Sequence, residues 1–351
     1  MYTLITESVQ KKPNSDKTSS EILKVRHLTT SYVTERTILG KPKKKVHALH
    51  DVSFSLNKGD MLGVVGESGC GKSTLAKTLL RLIDPDSGRI EFDGEDISEL
   101  SSEELRKLRK RIQMVFQDPY ASLNPKMTVS EIIGSPLRVY GIGNRIEREE
   151  RIREIMRLTG LDDDYIDRYP SEFSGGQRQR IMIARTLILH PEFVIFDEPV
   201  SALDVSVRAQ ILNLINDLKK LKFTSLFISH DLSVIKFICN KIAVMYLGHI
   251  VELTSTEELF SNPLHPYTRA LISAIPIPEY GHKRPNSMLT GQIPSPLDPP
   301  SGCPFHTRCP YATDICKTSC PELTEDHPGH FSACHYSGDR RIGGPVHFKN
   351  P

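Results

Sequence analysis

Nine residues, Gly66 to Thr74, read GESGCGKST and constrain this chain more than any other stretch. They match G-x-x-x-x-G-K-[ST] and stand in the context that gives that spacing a mechanism. Met61-Leu62-Gly63-Val64-Val65 before them is an apolar run with strand character, and LAKTLLRL after them has helical periodicity. A strand, glycine-rich loop and helix in this order turn backbone N–H groups toward an anion, and the helix adds the positive end of its dipole. Lys72 is placed to reach the outer phosphates of a nucleotide, and the Ser73 hydroxyl to ligate Mg²⁺. A glycine-rich turn without a ligand is the competing reading, and the rest of the chain decides against it.

Beyond the loop, strand-like runs (FVIFDE, TSLFISH, KIAVMYLGHIVEL) alternate with helical ones (QRQRIMIARTLIL, VRAQILNLINDLKKL). Such alternation implies a parallel sheet covered by helices, an α/β fold. Ahead of the loop, ILKVRHLTTSYV and HALHDVSFSLN read as two strands, and GRIEFDGEDI after its helix as a hairpin. The intervening stretch 34–45 ends in Lys41-Pro42-Lys43-Lys44-Lys45 and reads as a solvated hairpin loop, with weak attraction to anionic headgroups as the alternative. SSEELRKLRKRI is a charged helix, QMVFQDPYASLNPKMTVSEII breaks periodicity, and residues 129–169 look helical and charged. Residues 1–20 are polar and aperiodic, the pattern of a loose tail. From about Ser255 the texture shifts to helix with prolines, then to a proline-rich stretch over 276–310 and a tail dense in Cys, Pro and His.

A chain of 351 residues with 25% charged residues and a formal net charge of +2 is an ordinary globular composition. The near-neutral balance argues against a dedicated nucleic-acid binder. No apolar stretch approaches the roughly 18 residues that a membrane-crossing helix needs. The polar N-terminus also lacks a signal-peptide core. The expectation is a soluble intracellular chain whose membrane role, if it has one, comes through a partner.

Two further motifs share the chemistry. Phe193 to Glu198 is a buried-strand run ending in two acids, and ligands of parallel sheets bind at the carboxyl ends of strands. Asp197 is placed to hold Mg²⁺ and Glu198 to orient or deprotonate an attacking water. Phe173-Ser174-Gly175-Gly176-Gln177 opens a helix, with Ser174 as cap and glycines that permit close backbone approach to an anion. The order along the chain is phosphate loop, Gln117, SGGQ, Asp197-Glu198, Ser201-Ala202-Leu203-Asp204, then His230.

That order resembles the ATP-binding subunit of an ABC transporter, over about residues 22–335. The resemblance implies an α/β fold: a P-loop NTPase ABC ATPase core over 22–256, with an inserted helical subdomain at about 118–182. It further implies a 1–21 tail and a small Cys/Pro-rich C-terminal domain over 257–351. It makes Gly66, Glu67, Ser68, Gly69, Cys70, Gly71, Lys72, Ser73 and Thr74 the phosphate loop, and Gln117 a sensor of Mg²⁺ that also contacts the membrane domains. Ser174, Gly175, Gly176 and Gln177 become the signature that closes on the partner subunit's γ-phosphate, and Asp204 the cross-dimer loop. Asp197 and Glu198 become the catalytic acids, and His230 a γ-phosphate contact. Tyr32 resembles the aromatic that stacks on adenine. Phe173 stands where the family usually has Leu, an apolar departure that leaves the Ser and Gly roles intact. The implied cofactors are ATP and Mg²⁺, and the implied activity is ATP hydrolysis coupled to transport.

GESGCGKST, QDPYASLNPKMT, NPLHPYTRALISAIP and GCPFHTRCPYA together resemble the dipeptide/oligopeptide importer branch, and the inserted loop at 34–46 resembles its second ATPase type. The implied partners are a second ATPase subunit in a heterodimer, two membrane permeases and an extracytoplasmic substrate-binding protein, at the cytoplasmic face of the membrane. Relatives carry nickel or glutathione, which leaves those cargoes as alternatives. A soluble ABC ATPase acting on nucleic acid or ribosomes is a remote one, given the single uninterrupted core and neutral charge. A non-hydrolysing regulatory subunit is opposed by the complete set of motifs.

Of seven cysteines, Cys303, Cys309, Cys316, Cys320 and Cys334 crowd the last part of the chain, while Cys70 and Cys239 stand alone. Clustering in a cytosolic protein points to metal before disulfides. Cys303, Cys309, Cys316 and Cys334 match the family's C-terminal positions, where some members hold an iron–sulfur cluster. A [4Fe-4S] cluster is therefore one expectation. Zinc is disfavoured by the loose spacing, and packed reduced thiols remain open.

Overall fold

The computed structural model describes residues 20–36, 42–275 and 291–337. At its centre lies β3 (Met61–Val65), buried at all five positions. It pairs in parallel with β8 (Thr224–Ile228) on one side and β9 (Lys241–Tyr246) on the other. β7 (Phe193–Asp197) continues the parallel block beside β8, and β6 (Ile112–Val115) closes its edge. β7 and β8 are buried throughout and mostly apolar, as strands covered on both faces tend to be.

The two-residue period of the strand divides each of them between two cores. Met61, Val65, Phe196 and Phe227 pack on one side, while Leu62, Val64, Ile195 and Leu226 pack on the other. The second core is completed by an antiparallel sheet with strand order β2-β1-β4-β5. Its strands are β1 (Glu21–Arg36), β2 (Pro42–Asn57), β4 (Ser87–Phe92) and β5 (Glu95–Asp96). Leu23, Leu49 and Phe92 are its buried contribution.

The stretch expected to be a solvated loop is largely strand. β1 runs on to Arg36 and β2 begins at Pro42, with Val33 opposite Lys45 and Arg36 opposite Pro42, so residues 42–45 of the basic run lie within a paired edge. Residues 37–41 lie outside the described residues, as do the 1–19 tail and 276–290 of the proline-rich stretch.

Helix α1 (Lys72–Leu79) follows the phosphate loop, and α2 (Ser102–Leu108) follows the hairpin. Between β6 and β7 come α3 (Pro119–Ser122), α4 (Val129–Val139), α5 (Arg145–Leu158) and α6 (Gly175–Leu187). The starts of the last three are written locally. Thr128 with Glu131, Asn144 with Glu147 and Ser174 with Gln177 each form a reciprocal capping box. The helices α7 (Val205–Leu218) and α8 (Leu232–Ile238) return the chain to the sheet.

The C-terminal part does not stand apart from this core. β10 (His249–Ser255) pairs antiparallel with β9, and the hairpin of β11 (Thr324–His327) and β12 (His330–Ser332) adds to the free edge of β10. The tail thus extends the central sheet, although its sequence is short of strand signals. α9 (Thr256–Ser261), α10 (Pro266–Ser273) and α11 (Asp314–Thr318) complete it. The join is pinned by Glu252 of β10, which is fully buried. Its carboxylate accepts from the N–H groups of Leu264 (2.8 Å) and His265 (2.9 Å) and lies 2.8 Å from Nε2 of buried His330. Replacing Glu252 with Ala leaves all three buried partners without an acceptor, and we expect a loss of about 3–5 kcal/mol in urea unfolding. Glu252→Gln keeps an acceptor oxygen and should lose less than half of that. Equal losses in the two variants would show that the carboxylate is not the organising group.

Candidate nucleotide site

The loop between β3 and α1 closes around its own lysine. Lys72, only 6% exposed, donates from Nζ to the carbonyl oxygens of Gly66 (2.8 Å) and Glu67 (2.9 Å). Gly71 caps α1 with φ of 106°, and a Cβ there would stand 2.3 Å from the Ala48 carbonyl oxygen, so only glycine fits. Outside the loop lies an open cavity of about 470 Å³. Ser68, Gly69, Gly71, Lys72, Ser73 and Thr74 form its floor. Tyr32, Gln117, Glu198 and His230, from four separate segments, line its walls. All ten were expected at a nucleotide from sequence, and the fold brings them to one cavity.

Each wall residue is held by its own element. Tyr32, on β1, has its hydroxyl 3.2 Å from Thr74 Oγ1 and leaves its ring 38% exposed. Asp197 ends β7 beneath the loop, where Ser73 Oγ donates to its Oδ1 at 3.1 Å. Burial pushes the Asp197 carboxyl up, and the Glu198 charge adds to this against the Ser73 hydrogen bond. Glu198 itself has left-handed backbone with φ of 46°. A non-glycine residue in that region is strained and persists where its surroundings hold it. Here its N–H donates to Ile228 O (3.1 Å), and its carbonyl accepts from Ser201 N–H (3.2 Å) and Ser201 Oγ (3.0 Å). The carboxylate so aimed accepts from Gln117 Nε2 at 3.1 Å and lies 3.6 Å from His230 Nδ1.

Ser73 and Asp197 offer a hydroxyl and a carboxylate oxygen side by side, a hard-oxygen pair that suits Mg²⁺ when nucleotide phosphates and water complete the shell.

Ser174, Gly175, Gly176, Gln177 and Asp204 do not line the cavity. They form a second group of their own. Ser174 caps α6, exchanging bonds with Gln177, and Asp204 caps α7 by accepting from Val207 N–H at 3.0 Å. This cap holds the Asp204 carboxyl below the usual range. A Cβ on Gly176 would fall 2.3 Å from Val207 Cγ1, and one on Gly175 3.3 Å from Leu203 Cδ2, so the glycines let the two helix starts touch.

Three loop residues face inward instead. Gly66 backs onto the carbonyl of Met245, and buried Cys70 has its Sγ 3.7 Å from Lys72 Nζ. The Glu67 carboxylate turns from the cavity to Arg308. Sequence reading missed His47 and Pro296, which also line the cavity, and the part of Arg308 and Tyr267 behind it. The last two stand 241 and 200 residues from Glu67, beyond any local signal.

A cluster was one expectation for the tail cysteines, with packed thiols left open. Cys303, Cys309, Cys316 and Cys334 do line one cavity, but it encloses only about 20 Å³. Among the described residues no three His, Cys, Asp or Glu side chains are placed to hold a metal ion. Burial pushes the Cys303 thiol up to about 12 and Cys334 up to about 11, so both are thiols at neutral pH. The four thiols share one small cavity, and nothing among the described residues supports a four-iron cluster.

Residues 49–201 match the family model described as ABC transporter, and residues 251–316 the one described as oligopeptide/dipeptide transporter, C-terminal region. A Brucella ovis chain named as a peptide import ATP-binding protein is 51% identical over 318 residues, 90% of this chain and 98% of that one. The oligopeptide transport ATP-binding protein AppF of Bacillus subtilis is 52% identical over 318 residues, 90% and 97% of the two chains. The chain belongs to the ABC transporter ATP-binding subunits. The solved ATP-binding cassette MJ0796, in a dimeric post-hydrolysis state bound to ADP and Pi, superposes with a TM-score of 0.60 at 28% identity, covering 67% of this chain and 99% of that one. The solved cbiO1 of Clostridium perfringens, part of the ABC transporter complex cbiONQ, gives 0.60 at 29% identity, covering 69% and 91%. The ABC core is therefore an ATPase core, and the oligopeptide-type tail is fused to its sheet.

For this ABC ATPase, Glu198→Gln should lower kcat by at least about 100-fold while leaving ATP binding intact. Glu198→Gly should be equally inactive yet no less stable, because glycine relieves the left-handed backbone. Turnover within tenfold of the parent in Glu198→Gln would remove Glu198 from the base role.

Proposed function

We propose that this chain energises peptide import: it binds MgATP in the cavity over the phosphate loop and hydrolyses it within a membrane transporter complex. The observation that carries the mechanism is the convergence of Lys72, Ser73, Gln117, Glu198 and His230 on one cavity from which the SGGQ group is excluded. A site without its signature motif is half a site. A second ATPase subunit facing this one head to tail supplies the missing half, and Asp204 beside the signature lies at that junction.

When ATP enters, Lys72 exchanges the carbonyls of Gly66 and Glu67 for the outer phosphates. Ser73 and Asp197 would hold Mg²⁺, which would supply positive charge against that developing on the phosphates. Tyr32 offers its exposed ring to the base. Gln117 orients the Glu198 carboxylate, Glu198 takes a proton from the attacking water, and His230 contacts the γ-phosphate. Loss of the γ-phosphate removes contacts made only in the closed pair, so the pair opens.

Peptide cargo rests on the C-terminal region and on relatives named for peptide and oligopeptide transport. Nickel and glutathione have no such support here. The partners in this reading are a second, non-identical ATPase subunit, two permeases and an external binding protein. Among the described residues no helix is long and apolar enough to cross a membrane, which suits peripheral attachment at the cytoplasmic face. The domain limits in this reading are an ATPase domain over 22–256, with helices inserted at about 118–182, and the importer-type region from 257. We assign no cluster to the tail thiols; iron and sulfide near stoichiometric amounts after anaerobic purification would reverse that.

The complex reconstituted in liposomes with permeases and binding protein should hydrolyse ATP several-fold faster with peptides of one length class. Stimulation by nickel or glutathione alone would move the cargo, and failure to join any permease would sink the transporter reading.

A further inference from the structure

The phosphate loop is clamped from behind by the C-terminal region. Glu67 has three backbone and side-chain polar groups, and all are engaged. Its N–H donates to the Tyr267 hydroxyl at 3.0 Å, and its carbonyl accepts from Lys72. Its carboxylate accepts a fork of bonds from Arg308, from Nη1 to Oε2 at 2.7 Å and from Nη2 to Oε1 at 3.0 Å. The Arg308 side chain is 5% exposed and lies over the Tyr246 ring, 5.8 Å from its centroid. Its position is fixed by a compact turn. Arg308 N–H donates to Phe305 O (3.0 Å), His306 N–H to Cys303 O (3.0 Å), and Cys303 N–H to Cys316 O (2.8 Å). Phe305 packs on Tyr246, Tyr267 and His265, with ring centroids 5.3, 5.4 and 5.6 Å away.

Only the Lys72 bond among these must break when nucleotide arrives. The Tyr267 and Arg308 bonds lie on the far side of the loop and do not compete with phosphate. They can therefore keep the loop curled in the empty site, so that its ordering entropy is met on folding and not on binding. A planar, always-charged guanidinium is the group suited to a two-pronged carboxylate grip in a site with little water.

We propose that Arg308, with Tyr267, is a positioning residue of the nucleotide site: the C-terminal region preorganises the phosphate loop through Glu67 and thereby sets the affinity for MgATP. The proposal rests on the reading of the cavity as an ATP site. It makes the tail a determinant of nucleotide affinity. A change in the 303–316 turn is felt at Lys72 through two side chains.

The test uses the full chain with a fluorescent ATP analogue and Mg²⁺, and the assembled transporter for turnover. Arg308→Met should weaken nucleotide binding about tenfold and raise KM in parallel, the size expected for losing hydrogen bonds to a charged group. kcat at saturating ATP should stay within about twofold, because no contact to the reacting atoms is lost. Tyr267→Phe should act in the same direction with a smaller effect. Hydrogen exchange of the 66–72 amides in the empty protein should speed up in both. Glu67→Gln with Arg308→Met removes both charges and should regain part of the lost affinity. Should Arg308→Met fail to fold, Arg308→Lys, which keeps the charge and loses the fork, and Tyr267→Phe carry the same comparison. Lower melting temperature with unchanged affinity and unchanged 66–72 exchange would make the clamp merely structural and overturn the proposal. Parent protein that binds no nucleotide would overturn the ATP reading instead, whereas a binding parent with equally binding variants defeats the clamp alone.

Discussion

A buried ammonium governs this structure. Lys72 sits at the mouth of α1 with almost no exposure, and an ion removed from water costs several kcal/mol unless oxygen atoms replace its hydration. The loop provides those oxygens by folding its own carbonyls inward, which demands left-handed glycine at Gly71 and a tight passage past β2 at Ala48. The same curl sets Ser68, Gly69 and Gly71 along the cavity. The loop thus holds its lysine on its own carbonyls.

The parallel sheet explains why the remaining groups assemble there. Ser73, Asp197, Glu198 and His230 all follow the carboxyl ends of β3, β7 and β8, which lie side by side. Strand polarity gathers them at one rim. The acids then differ by depth: Asp197 is buried and pushed up, while Glu198 is turned out by a backbone conformation that its neighbours enforce. One acid accepts a hydrogen bond from Ser73 and the other from Gln117.

The oligopeptide-type tail is part of this machine by construction. β12 pairs with β10, Glu252 binds His330 across that join, and the aromatic group of Tyr246, Tyr267 and Phe305 fills the space behind the phosphate loop. The packed thiols lie in the same tail, with Cys303 at the base of the turn that carries Arg308. Phe305 of this turn packs on Tyr246, Tyr267 and His265 and holds the turn to the core.

The sequence by itself determined the phosphate loop, the acidic strand end, the SGGQ helix start and the alternation that makes a parallel sheet. Each is a local pattern: glycine spacing, an apolar run, a cap three residues from its partner. Of the three capping boxes of α4, α5 and α6, only the Ser174 cap was read from sequence, although the bonds of all three span three residues. Tertiary structure alone decided the rest. β6 and β12 are four and three residues long, too short to show a period, and are strands because an edge was open to receive them. The basic run at 42–45 became strand because β1 continued opposite it, overriding a composition that favours solvent. The signature group was readable as a motif, but its exclusion from the cavity was not, since that depends on where α6 starts relative to the sheet. Glu67 meets Arg308 across 241 residues, a pairing set by the tail's strand joining the sheet and by nothing in either residue's neighbourhood.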